Sequence, residues 1–402
     1  MALFDPRSSM INRRRSIAQG RKVKNNMPIE SLSKLVLSVW AALWFYATAA
    51  VAATPSPALL NAKKDADARG YTFITNHDEI VSKAKQEGKL RVLAEMEPPT
   101  IKAAIKAFMK KYPFINLHIE EITGTDAARR NILEIKSGTA KDWDILHLST
   151  DFYNEYLPHL WKMDIVGMAQ QGILQIPVPM IDPKHRNVVG FYSRFQVTAY
   201  NKTLVPADKV PKLWEDLLKP EYKGKKFAAD IRPTEVAALV PAWGLEKTLD
   251  FARKLAAQDP IWVRGGSRTV TAIAAGEVPM MVGPNFHTTK RAMGKDALGN
   301  LQLVALEPVP VRLALEEAVQ TGSQHPHAAL LFLEWMASPE SQKLADELEP
   351  ASSSLHVRGG IVEQELRGKK LSTVSWDHHQ LMDQWQGKVF EAYGFPKAES
   401  KR

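Results

Sequence analysis

The chain has 402 residues, enough for two domains of ordinary size, and its 45% hydrophobic and 24% charged content excludes a disordered chain, a collagen and a multispan membrane protein. It contains no cysteine, which excludes a disulfide scaffold, a thiol nucleophile, cysteine-ligated metal and lipidation at an N-terminal cysteine. The formal charge of +9 is concentrated at the start: residues 1–52 hold eight Lys/Arg against two acids, so the rest carries only +3 and lacks the basic footprint of a nucleic-acid binder.

Residues 35–49 (LVLSVWAALWFYATA) are uncharged and apolar, bounded by Lys34 and by small residues. Ala50-Val51-Ala52 then fits an A-x-A cleavage pattern. Residues 1–52 read as a secretory signal peptide with a long n-region, translation starting at Met1 or Met27. The run is shorter than the roughly 20 residues a spanning helix needs. Export without a lipid handle or a second apolar span predicts a soluble periplasmic protein of a Gram-negative bacterium, with no stable membrane insertion after cleavage.

Beyond the leader, HDEIVSKAKQE (77–87) predicts a helix ending at Gly88, and Leu90–Ala94 a short strand. Pro98 and Pro99 open a helix carrying Ile101, Ala104, Ile105, Phe108 and Met109 at helical spacing, stopped by Tyr112-Pro113. Residues 115–122 alternate as a strand. Thr125 or Asp126 caps a helix that ends near Gly138, and Ile145–Leu148 is a third strand. This alternation implies right-handed crossovers and a mainly parallel sheet. Residues 196–200 form another strand. Trp214–Leu218 starts a short helix, 226–229 a strand, and helices follow over 234–242, 245–256 and 267–275. Strands are expected over 278–282 and 301–306, then helix over 325–349 with a break at Ser338-Pro339. Trp214 and Tyr222 read as core, Gly224 and Gly276 as turns. Residues 375–396 suggest a C-terminal amphipathic helix lying on the first lobe.

Four segments together resemble the extracellular solute-binding proteins of ABC importers. They are KKYPFINLHIE (110–120), VTAYNKTLVP (197–206) with WEDLLKPEYKGK (214–225), GGSRTVTAIAAGEVPMMVG (265–283) and HPHAALLFLEWMASPESQKLAD (325–346). The branch they most resemble is that of ferric-iron and small-anion receptors. The resemblance implies a type II periplasmic-binding-protein fold, α/β, with two lobes joined by a two-strand hinge. The first lobe would comprise 53–199 plus 305–402 and the second 200–304. The implied function is capture of a small solute in the inter-lobe cleft and delivery to an inner-membrane permease, by a monomer without catalytic residues or cofactor.

In such sheets ligands sit beyond the carboxyl ends of strands, at helix N-termini. The candidate ligand contacts are therefore Glu95, Met96, Thr125, Ser149 and Thr150 from the first lobe. Arg232, Ser267, Asn285 and His287 are the candidates from the second, Arg232 as a bidentate clamp. Ferric-binding members of the family place an adjacent tyrosine pair where this chain has Asn285-Phe286-His287, and no Tyr-Tyr pair occurs in the sequence. That departure points to an organic anion, or to a zwitterion whose cationic end meets Glu95 or Glu97. Ferric iron held with a synergistic anion is the alternative ligand. His325, His327 and the adjacent His378-His379 read as structural. The rival classes are a periplasmic enzyme and a ligand-presenting sensor. No G-x-S-x-G, H-E-x-x-H, phosphate-loop or G-x-G-x-x-G motif is present.

Overall fold

The computed structural model describes residues 56–122, 124–140, 142–149, 152–349 and 352–395. The expected leader lies outside them. No helix among the described residues is long and apolar enough to cross a membrane.

Among the described residues eight strands follow one path, β2 (Asn116–Glu121), β1 (Lys89–Ala94), β3 (Ile145–Leu148), β9 (Val309–Val319), β4 (Val188–Asn201), β7 (Met280–Asn285), β5 (Ala228–Asp230) and β6 (Ile261–Val263), and off it β10 (Leu371–Val374) pairs with β9 and β8 (Leu301–Val304) with β4. On the first-lobe side, β1 (Lys89–Ala94) pairs parallel with β2 (Asn116–Glu121) and with β3 (Ile145–Leu148). On the second-lobe side, β5 (Ala228–Asp230) pairs parallel with β6 (Ile261–Val263) and with β7 (Met280–Asn285). Two long strands join the sides. β4 runs over Val188–Asn201 and β9 over Val309–Val319. Val188–Phe195 of β4 pair antiparallel with β9, whereas Gln196–Asn201 pair with β7 and with β8 (Leu301–Val304). The ladder register slips between Gln196 and Thr198, where β4 passes from one sheet to the other.

Both strands are longer than the sequence suggests. Only the 196–200 part of β4 reads as a strand, and β9 (VPVRLALEEAV) reads as none. The cause is burial on both faces, which removes the polar–apolar alternation that marks a half-buried strand.

The first core takes in Phe108, Phe332 and Trp335, and the Phe108 ring meets each of the other two edge to face, at 5.4 and 5.6 Å. The Pro326–Met336 helix supplies Phe332 and Trp335 and is buried all round from Ala328 to Met336, which explains why its sequence is apolar but for one acid. Its one acid, Glu334, accepts from the Gln175 amide at 2.7 Å and lies 2.8 Å from His77 Nε2. His327 and Ala328 at its start are held by Glu87, and His325 by Asp144, so these histidines are structural. Ser338 caps the next helix, Pro339–Leu348, as the Ser-Pro pair predicts.

The second core gathers Trp214, Tyr222, Phe227, Phe251 and Leu255. The last helix, Met382–Ala392, belongs here: Met382, Trp385, Val389 and the following Tyr393 are buried in the same cluster. The expectation that it covers the first lobe is therefore corrected. An apolar helix face matches either lobe, and the path of the chain decides. That path starts at β10 (Leu371–Val374), parallel to β9 at Val309–Arg312. Trp376 then lies against Gly190, where an added Cβ would meet its ring at 3.3 Å. Gln380 donates to Asn154 at 3.1 Å, and Gln386 accepts from Thr234 at 2.9 Å.

Candidate functional site

Arg194 on β4 and Arg312 on β9 are direct cross-strand partners. Like charges placed opposite each other in a ladder repel, so the pair costs stability unless something negative lies between or above it. Burial pushes both guanidiniums below their ordinary basicity. Arg194 donates to Ser352 Oγ at 2.8 Å and lies over the Tyr192 ring at 5.3 Å. The Arg312 guanidinium has no hydrogen bond or ion pair among the described residues, and its Nε is buried.

Two adjoining cavities of about 400 Å³ each share Arg312 and Asn285. The one on the first-lobe side is lined by Glu95, His147 and Ser149 from strand ends, by Arg194, Arg312 and Glu316 from the hinge strands, and by His287. His287 sits in the first turn of the Phe286–Met293 helix. Desolvation first, and then the fields of Arg194, Arg291 and Arg312, push its pKa down to about 3, so it is neutral. Glu316 is 2% exposed, and burial raises it to about 7 against the opposing pull of His147 and Arg312. Leu315 beside it holds a left-handed backbone (φ 54°), strain of a kind that collects at functional sites.

The second-lobe cavity holds Asp230, Arg232, Glu235, Arg264, Ser267 and Arg268. Asp230 accepts from the Gly265 amide at 2.8 Å and the Arg232 amide at 2.9 Å, and holds the Arg232 guanidinium at 3.0 Å. Arg232 thus has an internal carboxylate partner rather than a free fork. Arg264 and Arg268 are exposed at the rim and form no ion pair among the described residues. Glu235 is buried with Oε1 unpartnered, and desolvation raises it well above an ordinary carboxyl.

Of the residues singled out by sequence, Glu95, Ser149, Asn285 and His287 meet in the first-lobe cavity, and Arg232, Ser267 and Asn285 in the second. Met96 is corrected: it is 2% exposed and packs in the first core, because successive residues leaving a strand point to opposite sides. Thr125 begins the Thr125–Ser137 helix next to cavity-lining Gly124. Thr150 lies outside the described residues. Glu97, the other carboxylate suggested for a cationic group, is held at 2.6 Å by Arg291 of the opposite lobe. Phe286 is buried and stacks on Phe195 at 4.3 Å, so the middle of the Asn285–His287 trio is packing. The reading from sequence missed Arg194, Arg312, Glu316, His147 and Asp230. The signal for the two hinge arginines is a lone cation inside an apolar strand run, FYSRFQV and VPVRLAL, since arginine is rarely buried without a partner.

Two α/β lobes, two long strands shared between them and charged side chains converging on the space beside those strands define a two-lobe solute-binding protein of the type II class. The chain belongs to the bacterial extracellular solute-binding protein family, whose profile matches residues 103–353. It is 25% identical over 232 residues to the Fe(3+)-binding periplasmic protein of Serratia marcescens, a match covering 55% of this chain and 66% of that protein, just under two thirds of its length. Among solved structures, Mannheimia haemolytica ferric iron-binding protein A in an open conformation is 19% identical, with 76% of this chain and 98% of that one aligned at a TM-score of 0.60. The Trichodesmium protein IdiA (FutA) in complex with iron and citrate is 20% identical, covering 77% and 100% with a TM-score of 0.57. These likenesses establish the shared fold; the family and its relatives are binding proteins rather than enzymes.

Proposed function

We propose that this chain is the periplasmic substrate-binding component of an ABC importer of a Gram-negative bacterium, exported on a cleaved leader over residues 1–52. It captures a small organic anion between its lobes and hands it to an inner-membrane permease. The observation that carries the ligand class is the Arg194–Arg312 pair, two half-buried guanidiniums facing one another with no carboxylate partner in the described residues. Desolvating a charge that has no carboxylate in direct contact is costly, and a bound anion with charge-assisted hydrogen bonds offsets that cost. Asn285 and the neutral His287 add uncharged polar groups from the second lobe. The mechanism is hinge closure: a ligand touching both lobes favours the closed form, which the permease then engages. The second-lobe core and the C-terminal helix would move as one body, with β4 and β9 as the hinge.

The names of the relatives favour ferric iron as a second reading. Against it stands the field at Asn285 and His287: the three arginines that depress His287 also repel a trivalent cation. If iron were carried, its synergistic anion would occupy the arginine pair.

The test is a thermal-shift panel on residues 53–402, stripped of carried-over ligand by unfolding and refolding. Carboxylates, phosphonates, amino acids, polyamines and ferric citrate are compared. A ligand at 100 times its Kd adds about 2.7 kcal/mol, a shift of a few degrees. Shifts confined to anion-bearing compounds support the reading; a shift with ferric salts alone overturns it.

A further inference from the structure

The first-lobe cavity is charged with both signs, and no ion pair joins its arginines to its carboxyls among the described residues. Arg194 and Arg312 line it without a carboxylate within ion-pair distance. Glu95 and Glu316 line it without a Lys or Arg within that distance. Their nearest basic groups are histidines: His147 Nε2 is 3.9 Å from Glu95, and His379 Nε2 is 4.0 Å from Glu316. Burial pushes both histidines below their ordinary pKa, towards the neutral form. Glu316 Oε1 is buried and without a hydrogen-bond partner, and so is Arg312 Nε. A cavity of about 400 Å³ thus has two cations and Glu316 from the hinge strands and Glu95 from the end of β1, each charge complementary to a group that the space between them would hold.

Resting on the anion-capture reading, we infer that the solute is dipolar: its anionic group docks between Arg194 and Arg312 while an amine on the same molecule lies against Glu95 and Glu316. A simple anion satisfies the arginines but leaves Glu95, and the ionised form of Glu316, without a cationic partner. A polyamine satisfies the carboxyls but meets the arginines. A zwitterion of amino-acid or aminophosphonate type offsets both.

The test uses the mature chain, residues 53–402, and matched probes that differ only by an amine: glutarate and glutamate, butyrate and γ-aminobutyrate, methylphosphonate and aminomethylphosphonate. Affinities are measured by calorimetry on wild type, Glu95→Gln, Glu316→Gln and Arg312→Gln. The amine-bearing member of at least one pair is expected to bind tenfold or more tighter to wild type. Glu316→Gln should reduce that advantage below about threefold, a loss of at least a factor of three, while leaving or improving the amine-free member. Glu95→Gln, at a half-exposed position that folding tolerates, should move the ratio in the same direction. Arg312→Gln should weaken both members equally. If the amine-free members bind as well as their partners and neither glutamate variant changes the ratio, the dipolar inference fails and anion capture stands. If no probe binds wild type, or if Arg312→Gln leaves every measured affinity unchanged, the anion reading fails, and this inference with it.

Discussion

Arg312 stands opposite Arg194 in the β4–β9 ladder, and nothing negative among the described residues lies within ion-pair reach of either guanidinium. A sheet assembled for stability alone would not place two cations there. The first prediction is therefore an inversion of sign. Without ligand, Arg312→Gln should raise the melting temperature by about 1–2 degrees, since relieving a like-charged cross-strand pair is worth on the order of 0.2–1 kcal/mol. With anionic ligand, the same variant should lose affinity by roughly 30-fold or more, the cost of truncating one partner of a buried charged pair. Melting curves and titrations on one preparation check both halves.

Glu317 is fully buried with both carboxyl oxygens unpartnered, and desolvation raises its pKa well above the ordinary value. In the unfolded chain the same group titrates near the ordinary carboxylate value. A carboxyl whose folded pKa is raised contributes stability that is present below the unfolded pKa and is lost as pH rises towards the folded one. Glu317→Gln should therefore gain on wild type as pH rises from about 4.5 through neutrality. The difference in melting temperature between the two proteins, followed from pH 4.5 to 8, reads this directly. A difference independent of pH would contradict it.

Gly283 holds φ +82°, and a Cβ there would lie 2.2 Å from Glu235 Cγ. Gly283→Ala combines a strained backbone with an overlap that only displacement of Glu235 relieves. It should destabilise by about 2–4 kcal/mol and, because Glu235 lines the second-lobe cavity, weaken ligand binding too. Denaturant unfolding and titration give the two quantities separately.

Arg291 Nη1 reaches Glu97 Oε1 at 2.6 Å, joining the Phe286–Met293 helix to the loop after β1 across the mouth of the cleft. Both side chains are more than two fifths exposed, so the bridge is worth at most about 1 kcal/mol. Arg291→Ala should leave the melting temperature nearly unchanged but increase the radius of gyration of the ligand-free protein in small-angle scattering. High salt should have the same effect on wild type.

Much of the fold was legible in the sequence because its signals are local. The first three strands, the Ser338-Pro339 helix start and the buried Trp214 and Tyr222 follow from periodicity, caps and composition. The candidate site was legible where it lies at strand ends, as at Glu95, Ser149, Asn285 and His287. It was hidden where it depends on pairing. Arg194 and Arg312 become neighbours only when β9 returns beside β4, and β9 carries no alternation to announce itself. Arg232 follows its strand as expected, yet Asp230, two residues earlier, occupies the fork. Met96 differs from Glu95 by one residue and hence by a face. The last helix presents the same apolar side to either lobe, so its docking on the second core is a tertiary fact.

The most direct test of anion capture is a calorimetric titration of the stripped mature chain and of an Arg194→Gln/Arg312→Gln variant. The titrants are the anion giving the largest thermal shift and, separately, ferric ion with a weak chelator. Tight anion binding to wild type, lost by at least about 100-fold in the double variant, with no iron binding in the anion's absence, is the predicted result. Equal anion affinity in the two proteins, or ferric binding that survives the double substitution, would contradict it.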